Sequence, residues 1–195
     1  MNIFYLDKNP QRCAQMHVDK HCIKMILEYA QLLSTAHRVL DGVLTTGLSE
    51  SGRKQQRYIL SDERQQMLYS ATHINHPSAV WVRQSTANYM WLAELLEECC
   101  REYSYRYGKI HKVESSGLMQ ILKNVFPINI SDKPFTEPTP AMPDDCKVPG
   151  DALQSYRNYY VMNKGHLWSW KGKINSRSEP QWFIKMVEPL SYGYA

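Results

Sequence analysis

HVDKHCIKMILEYAQLLSTAHRVLDG, residues 17–42, is the stretch whose pattern decides the fold. From Cys22 to Leu40 apolar side chains occupy most of a helical circumference, which predicts a central, largely buried helix. Upstream, Asn9 precedes Pro10, an N-cap followed by a residue whose missing N–H costs nothing at a first helical position. The spacing therefore predicts one helix from Pro10 to about Leu40, stopping at Asp41-Gly42.

The rest of the chain also reads as mainly α. MNIFYLD is a short extended lead-in. Residues 43–57, rich in Gly, Ser and Thr and carrying Arg53, Lys54 and Arg57, look like a mobile loop. Ser61-Asp62-Glu63 marks a second helix reaching about Thr72, and His73 to Pro77 is a turn. A third helix carries Trp81, Val82, Tyr89, Leu92, Leu95 and Leu96 and ends near Gly108. A short helix follows around Leu118–Val125. Six prolines between residues 126 and 150 exclude helix or central strand there and predict an ordered crossing loop or lid. Helix resumes at Asp151 and runs to about Trp170, with Gly165 as a point of interruption. The tail from residue 171 to 195, with Trp182 and Phe183, should pack back on the body. The expectation is a single compact multi-helix domain over residues 1–195 with a buried first helix.

Composition bounds the function. With 43% hydrophobic and 22% charged residues, the chain can bury a substantial core under an ordinary water-soluble surface. It has no apolar run long enough for a membrane helix, and MNIFYLDKNP lacks the features of a signal peptide. A cytoplasmic protein is expected, within the host cell if the chain is viral. The five cysteines include no CxxC pair, which argues against a disulfide framework or zinc knuckle. Cys13 and Cys22 read as small hydrophobes. A net charge of +4 permits a polyanionic partner. Cations and aromatics interleave around Arg101–Lys112 and Tyr156–Lys173, which suits either nucleic acid or the rim of a helical core.

On an unbroken first helix, His17, His21, Lys24, Glu28, Gln31 and Thr35 lie within about 40° of one meridian. So narrow a polar row on an apolar helix must line a cleft or pair with another helix. His17, His21, Lys24 and Glu28 are the candidate catalytic groups, with Gln31 beside them for substrate. Asp19 falls on the opposite side and should pair with a cation behind the helix, such as Arg12. The i, i+4 histidines with Glu28 resemble metal ligands, but the Lys24 ammonium between them opposes a divalent ion. No metal and no cofactor are expected. Asn75 and His76, in the Asn-His-Pro that caps the third helix, and Arg83 are candidates for an anionic substrate group. Tyr156, Arg157, Tyr160 and Lys164 are candidate substrate contacts on the last helix. Asp144 and Asp145 form a carboxylate pair that turn formation explains equally well.

The HxDKHxxKMxxExAQLL pattern of the first helix, continued in HPSAVWVR, YRYGKIHK, AMPDDCKVPGD and YRNYY, resembles a family of roughly 200-residue proteins of tailed phages and large DNA viruses. The resemblance covers most of the chain and implies a viral accessory protein, with DNA or nucleotide metabolism as its setting. The leading expectation is an enzyme acting on DNA bases by N-glycosylase or base-modification chemistry. The alternatives are a small-nucleotide hydrolase or transferase, and a non-catalytic binder of nucleic acid or a host protein. The partner is DNA or a nucleotide, without a membrane.

Overall fold

The computed structural model describes residues 1–48 and 51–191, with side chains through Glu188. The chain is mainly α. Two long antiparallel-type partners, α2 (Asp19–Asp41) and α5 (Thr86–Tyr107), form the centre, preceded by α1 (Pro10–Met16). Between α2 and α5 come a hairpin of β1 (Val43–Leu48) and β2 (Lys54–Ile59), then the short helices α3 (Arg64–Met67) and α4 (Pro77–Val82). After α5 follow α6 (Lys112–Ser115), α7 (Leu118–Asn124), α8 (Ala152–Asn163) and α9 (Gln181–Ser191). Leu32, Leu33 and Ala36 of α2 meet Leu92, Leu95 and Leu96 of α5 in one contiguous core, all excluded from solvent. The lead-in is part of that core, because Ile3, Tyr5 and Leu6 are fully buried.

The single helix expected from Pro10 to Leu40 is broken. His17 and Val18 take extended backbone, with ψ of 133° and 156°. The cause lies in distant residues. Arg106 of α5, fully buried, donates to the carbonyls of Gln15 (2.8 Å) and His17 (2.9 Å). Trp170 Nε1 takes the Met16 carbonyl at 2.9 Å, and His17 Nδ1 takes that of Cys13 at 2.7 Å. The His17 N–H closes the last turn on the Ala14 carbonyl, and the other carbonyls that a continuing helix would have used are satisfied by these side chains, so the helix can restart at Asp19.

Asp19 does pair with a cation behind the helix, but with Arg106 at 3.1 Å rather than Arg12, which contacts Asp7. Ser169 Oγ and the Gly172 N–H also bond its carboxylate. Glu102 completes the buried network by accepting from Arg106 (2.7 Å) and Arg177 (2.9 Å). The stop at Gly42 holds, though not through a left-handed residue: its φ is −87°, and a Cβ there would meet the Arg38 carbonyl at 2.5 Å.

Three further expectations are corrected. Residues 43–57, read as a mobile loop, pair as an antiparallel hairpin from Val43↔Ile59 to Leu48↔Lys54; residues 49 and 50 lie outside the described residues. Its side chains are almost all exposed, so no burial alternation marked it in the sequence. The second helix shrinks to Arg64–Met67, because buried Arg38 draws the carbonyls of Gln65, Leu68 and Tyr69 out of a helical path. The third helix is two, separated at Arg83–Ser85, where Ser85 caps α5 through the Asn88 N–H. Gly108 ends α5 in a left-handed conformation, φ 63°. The proline-rich loop crosses the body as expected, with one 3-10 turn at Asp144–Cys146. In the part of the tail that is described, Phe183 lies against Trp168 and Trp170 and Trp182 Nε1 donates to the Met16 sulfur; residues 192–195 lie outside the described residues. No helix among the described residues is long and apolar enough to cross a membrane.

Candidate active site

A cavity of about 290 Å³ opens beside the first half of α2. Its walls come from five parts of the chain: Met1, Asn2 and Phe4 of the lead-in, His21, Lys24, Met25 and Glu28 of α2, His76 before α4, Ala141 of the proline-rich loop, and Tyr159 and Lys164 at and just past the end of α8. Five predicted site residues therefore meet here: His21, Lys24, Glu28, His76 and Lys164.

His21 is 5% exposed and its ring stacks on Phe4 at 4.1 Å. Its Nδ1 lies 2.6 Å from the Tyr160 hydroxyl. No other hydrogen-bond partner of that phenol is found among the described residues, which leaves its proton for His21. The bonding thus assigns a neutral ring with its proton on Nε2. Burial, with smaller repulsion from His17, Lys164 and Lys24, pushes the His21 pKa down to about 3. Held neutral with its proton on Nε2, the ring offers a hydrogen-bond donor to the cavity at neutral pH.

Lys24 and Glu28 pair at 3.0 Å along α2, the lysine exposed and the carboxylate 13% exposed. The Met1 amino group stands 3.8 Å from the other Glu28 oxygen. His76 caps α4 by accepting the Ser78 N–H at Nδ1 (3.2 Å), which again places the ring proton on Nε2. Burial lowers its pKa. The Lys164 ammonium sits 4.5 Å above the Tyr159 ring, and Tyr159 lies nearly parallel to Phe4 at 6.1 Å. Lys164, Tyr159, Phe4 and His21 form one column.

The remaining candidates lie elsewhere. His17 is fully buried behind the cavity with both nitrogens spent: Nδ1–H donates to the Cys13 carbonyl and Nε2 accepts from Tyr29 at 2.8 Å. The helix break removes it from the polar row. Gln31 is half-buried and outside the cavity lining, and Asn75 is exposed. Arg83 is held by the carbonyls of Ile74 and Ala79. Tyr156 is buried and bonds Asn2 (2.9 Å), while Arg157 grips the Leu6 carbonyl (2.9 Å) and covers Trp182. Tyr160 acts through His21. Lys164 does not share a helical face with Tyr156 and Tyr160, because α8 ends at Asn163. Asp144 is exposed and pairs with Lys147 at the 3-10 turn. All five cysteines are buried and free. Among the described residues no group of three or more His, Cys, Asp or Glu gathers as metal ligands do.

Phe4 and Tyr159 are the aromatic cavity residues that sequence reading did not single out; Met1, Asn2, Met25 and Ala141 also line the cavity without having been named as candidates. Tyr159 was visible within the aromatic run YRNYY, but Phe4 carried no signal in a lead-in of mixed apolar residues. No protein-family model, curated protein or solved structure matches the chain.

Proposed function

We propose that the chain is a phage-type enzyme that acts on bases of DNA, taking one base at a time into the cavity beside α2. The observation that carries this is the meeting of His21, Lys24, Glu28, His76 and Lys164 around one cavity walled by Phe4 and Tyr159. At about 290 Å³ the space is near the lower end of ligand pockets, a size for a single base with its sugar rather than a longer ligand. Base-processing enzymes extrude their target into such a space and flank it with aromatic rings.

For N-glycosidic hydrolysis we assign the roles as follows. Glu28, held by Lys24, takes a proton from water as that water attacks the anomeric carbon. The bond from sugar to base breaks and its electron pair leaves with the base. The Nε2–H of His21 stabilises the negative charge building on a base carbonyl, and solvent then protonates the free base. The resemblance to phage and large-virus proteins points to the same setting.

Base release from DNA and from free nucleotides, followed by chromatography, tests the proposal. Release from DNA is expected, with binding that weakens steeply as salt rises because phosphate contacts release counterions. Release from nucleotides alone, with little salt dependence, would favour a small-nucleotide hydrolase. Tight DNA binding with no chemistry on any substrate would make the chain a binder and end the enzymatic reading.

A further inference from the structure

The polar groups lining the cavity are almost all donors. Asn2 is already engaged: its Oδ1 accepts from the Ile3 N–H and the Tyr156 hydroxyl (both 2.9 Å), and its Nδ2 donates to the Ala141 carbonyl (2.8 Å). What remains is the Nε2–H of His21, the Nε2–H of His76, the ammonium groups of Lys24 and Lys164, the Met1 amino group and the Glu28 carboxylate. No described residue bonds either Nε2. The only carboxylate of the lining is already matched to Lys24 at 3.0 Å. Lys164 makes its contact with a ring face, which leaves its N–H groups unpaired with any described carboxylate.

Lys24 and the Met1 amino group stand against Glu28, and the Nε2–H of His21 is the donor to the base, so the donors left for a group with several acceptor oxygens and negative charge are His76 and Lys164, from two separate elements. We propose that the cavity holds the phosphate of a nucleotide, bound by the Nε2–H of His76 and by the Lys164 ammonium. The inference deepens the base-processing reading and rests on it for the nucleotide. Phe4 and Tyr159 put apolar ring atoms in the cavity wall next to the donors, which suits the base carried beside that phosphate. Because the His76 imidazole accepts the Ser78 N–H at Nδ1, it donates through Nε2–H without needing to be charged; Lys164 supplies the charge. Glu28 would repel an anion placed against it, so the phosphate lies towards His76 and Lys164 and away from the carboxylate.

The test is calorimetric titration with a deoxynucleoside 5′-monophosphate, the matching deoxynucleoside, inorganic phosphate and a short single-stranded oligonucleotide. The monophosphate should bind about tenfold or more tightly than the nucleoside, and inorganic phosphate should compete with it. Lys164→Met and His76→Ser should each erase most of that advantage. Serine still caps α4, so folding is preserved, and a melting curve checks it. An oligonucleotide that binds more tightly than the monophosphate, with the same sensitivity to both variants, identifies the phosphate as that of a strand. The reverse order identifies a free nucleotide. Equal affinity for nucleoside and monophosphate, binding of neither, or indifference to both substitutions in folded protein overturns the proposal. A phosphate advantage without base release would leave the phosphate site standing and remove the base-processing reading. Base release with unchanged KM in both variants would do the opposite.

Discussion

The hydroxyl of Tyr160 stands 2.6 Å from Nδ1 of His21, a contact between residues 139 positions apart that decides which nitrogen of the histidine faces the cavity. The pair is buried, so solvent does not compete for either group. Tyr160→Phe removes the only donor to Nδ1 among the described residues while keeping the ring that packs on Phe4 and Trp182. Nitrogen-15 NMR of His21 should show the Nε2–H form in the native protein and a mixture of tautomers in the variant. Stability should fall by about 1–3 kcal/mol, the cost of an unsatisfied buried acceptor. An unchanged tautomer in Tyr160→Phe would show that the phenol does not orient the ring.

Lys24→Met and Glu28→Gln separate function from folding. Lys24 is exposed, so its pair with Glu28 contributes no more than about 1 kcal/mol. Both variants should therefore melt close to the native protein. Base release should drop by about 100-fold or more in Glu28→Gln, which loses the group that accepts the water proton. Full activity in Glu28→Gln would remove it from the mechanism.

His17→Asn should behave differently from changes in the cavity. Its imidazole satisfies both the Cys13 carbonyl and the Tyr29 hydroxyl at zero exposure, so an asparagine cannot serve both partners at those distances. A loss of about 1–3 kcal/mol is expected, with activity per folded molecule retained. Activity lost at full stability would return His17 to the catalytic set.

Asp19→Asn tests the network that ends α1. Arg106 has no exposure and keeps Glu102, but loses the second of its two carboxylates. Breaking a buried pair of this kind costs about 3–5 kcal/mol, reduced here by the partial exposure of Asp19 and the surviving Glu102. Chemical denaturation should show a clear fall in midpoint, and a midpoint unchanged within error would assign the helix break to other contacts.

Stability should also decline in mild acid. Burial lowers the pKa of His17 to about 4, of His21 to about 3 and of His37 to about 4. Between these values and the unfolded value near 6.5, the unfolded chain binds protons that the folded chain refuses. The contribution of the neutral rings is thus complete above about pH 6.5 and is lost as pH falls towards about 4. Each histidine adds up to roughly 1.4 kcal/mol per pH unit to the slope within that window. Melting temperatures measured from pH 7.5 to 4.5 should fall progressively, and a flat profile would mean the rings are not held neutral.

Local pattern was enough for much of the architecture. Apolar periodicity located α2, α5 and α7, since burying one side of a helix leaves a 3.6-residue trace in the sequence whatever it packs against. Six prolines marked the crossing loop, and the Asn9-Pro10 cap marked where α1 begins. Of the five predicted residues in the cavity, His76 stands at a helix start that the Asn-His-Pro cap made legible, and His21, Lys24 and Glu28 share a face because α2 is regular from Asp19 onward. The break at His17-Val18 was not legible, because the groups that impose it, Arg106 and Trp170, are remote in sequence and act on backbone carbonyls. The hairpin escaped because its strands are exposed on both faces and so carry no alternation of burial. Phe4, Tyr159 and the tautomer of His21 came only from the tertiary structure. Each depends on what a side chain meets across the fold, and a hydrogen bond spanning 139 residues leaves no periodic mark on either partner.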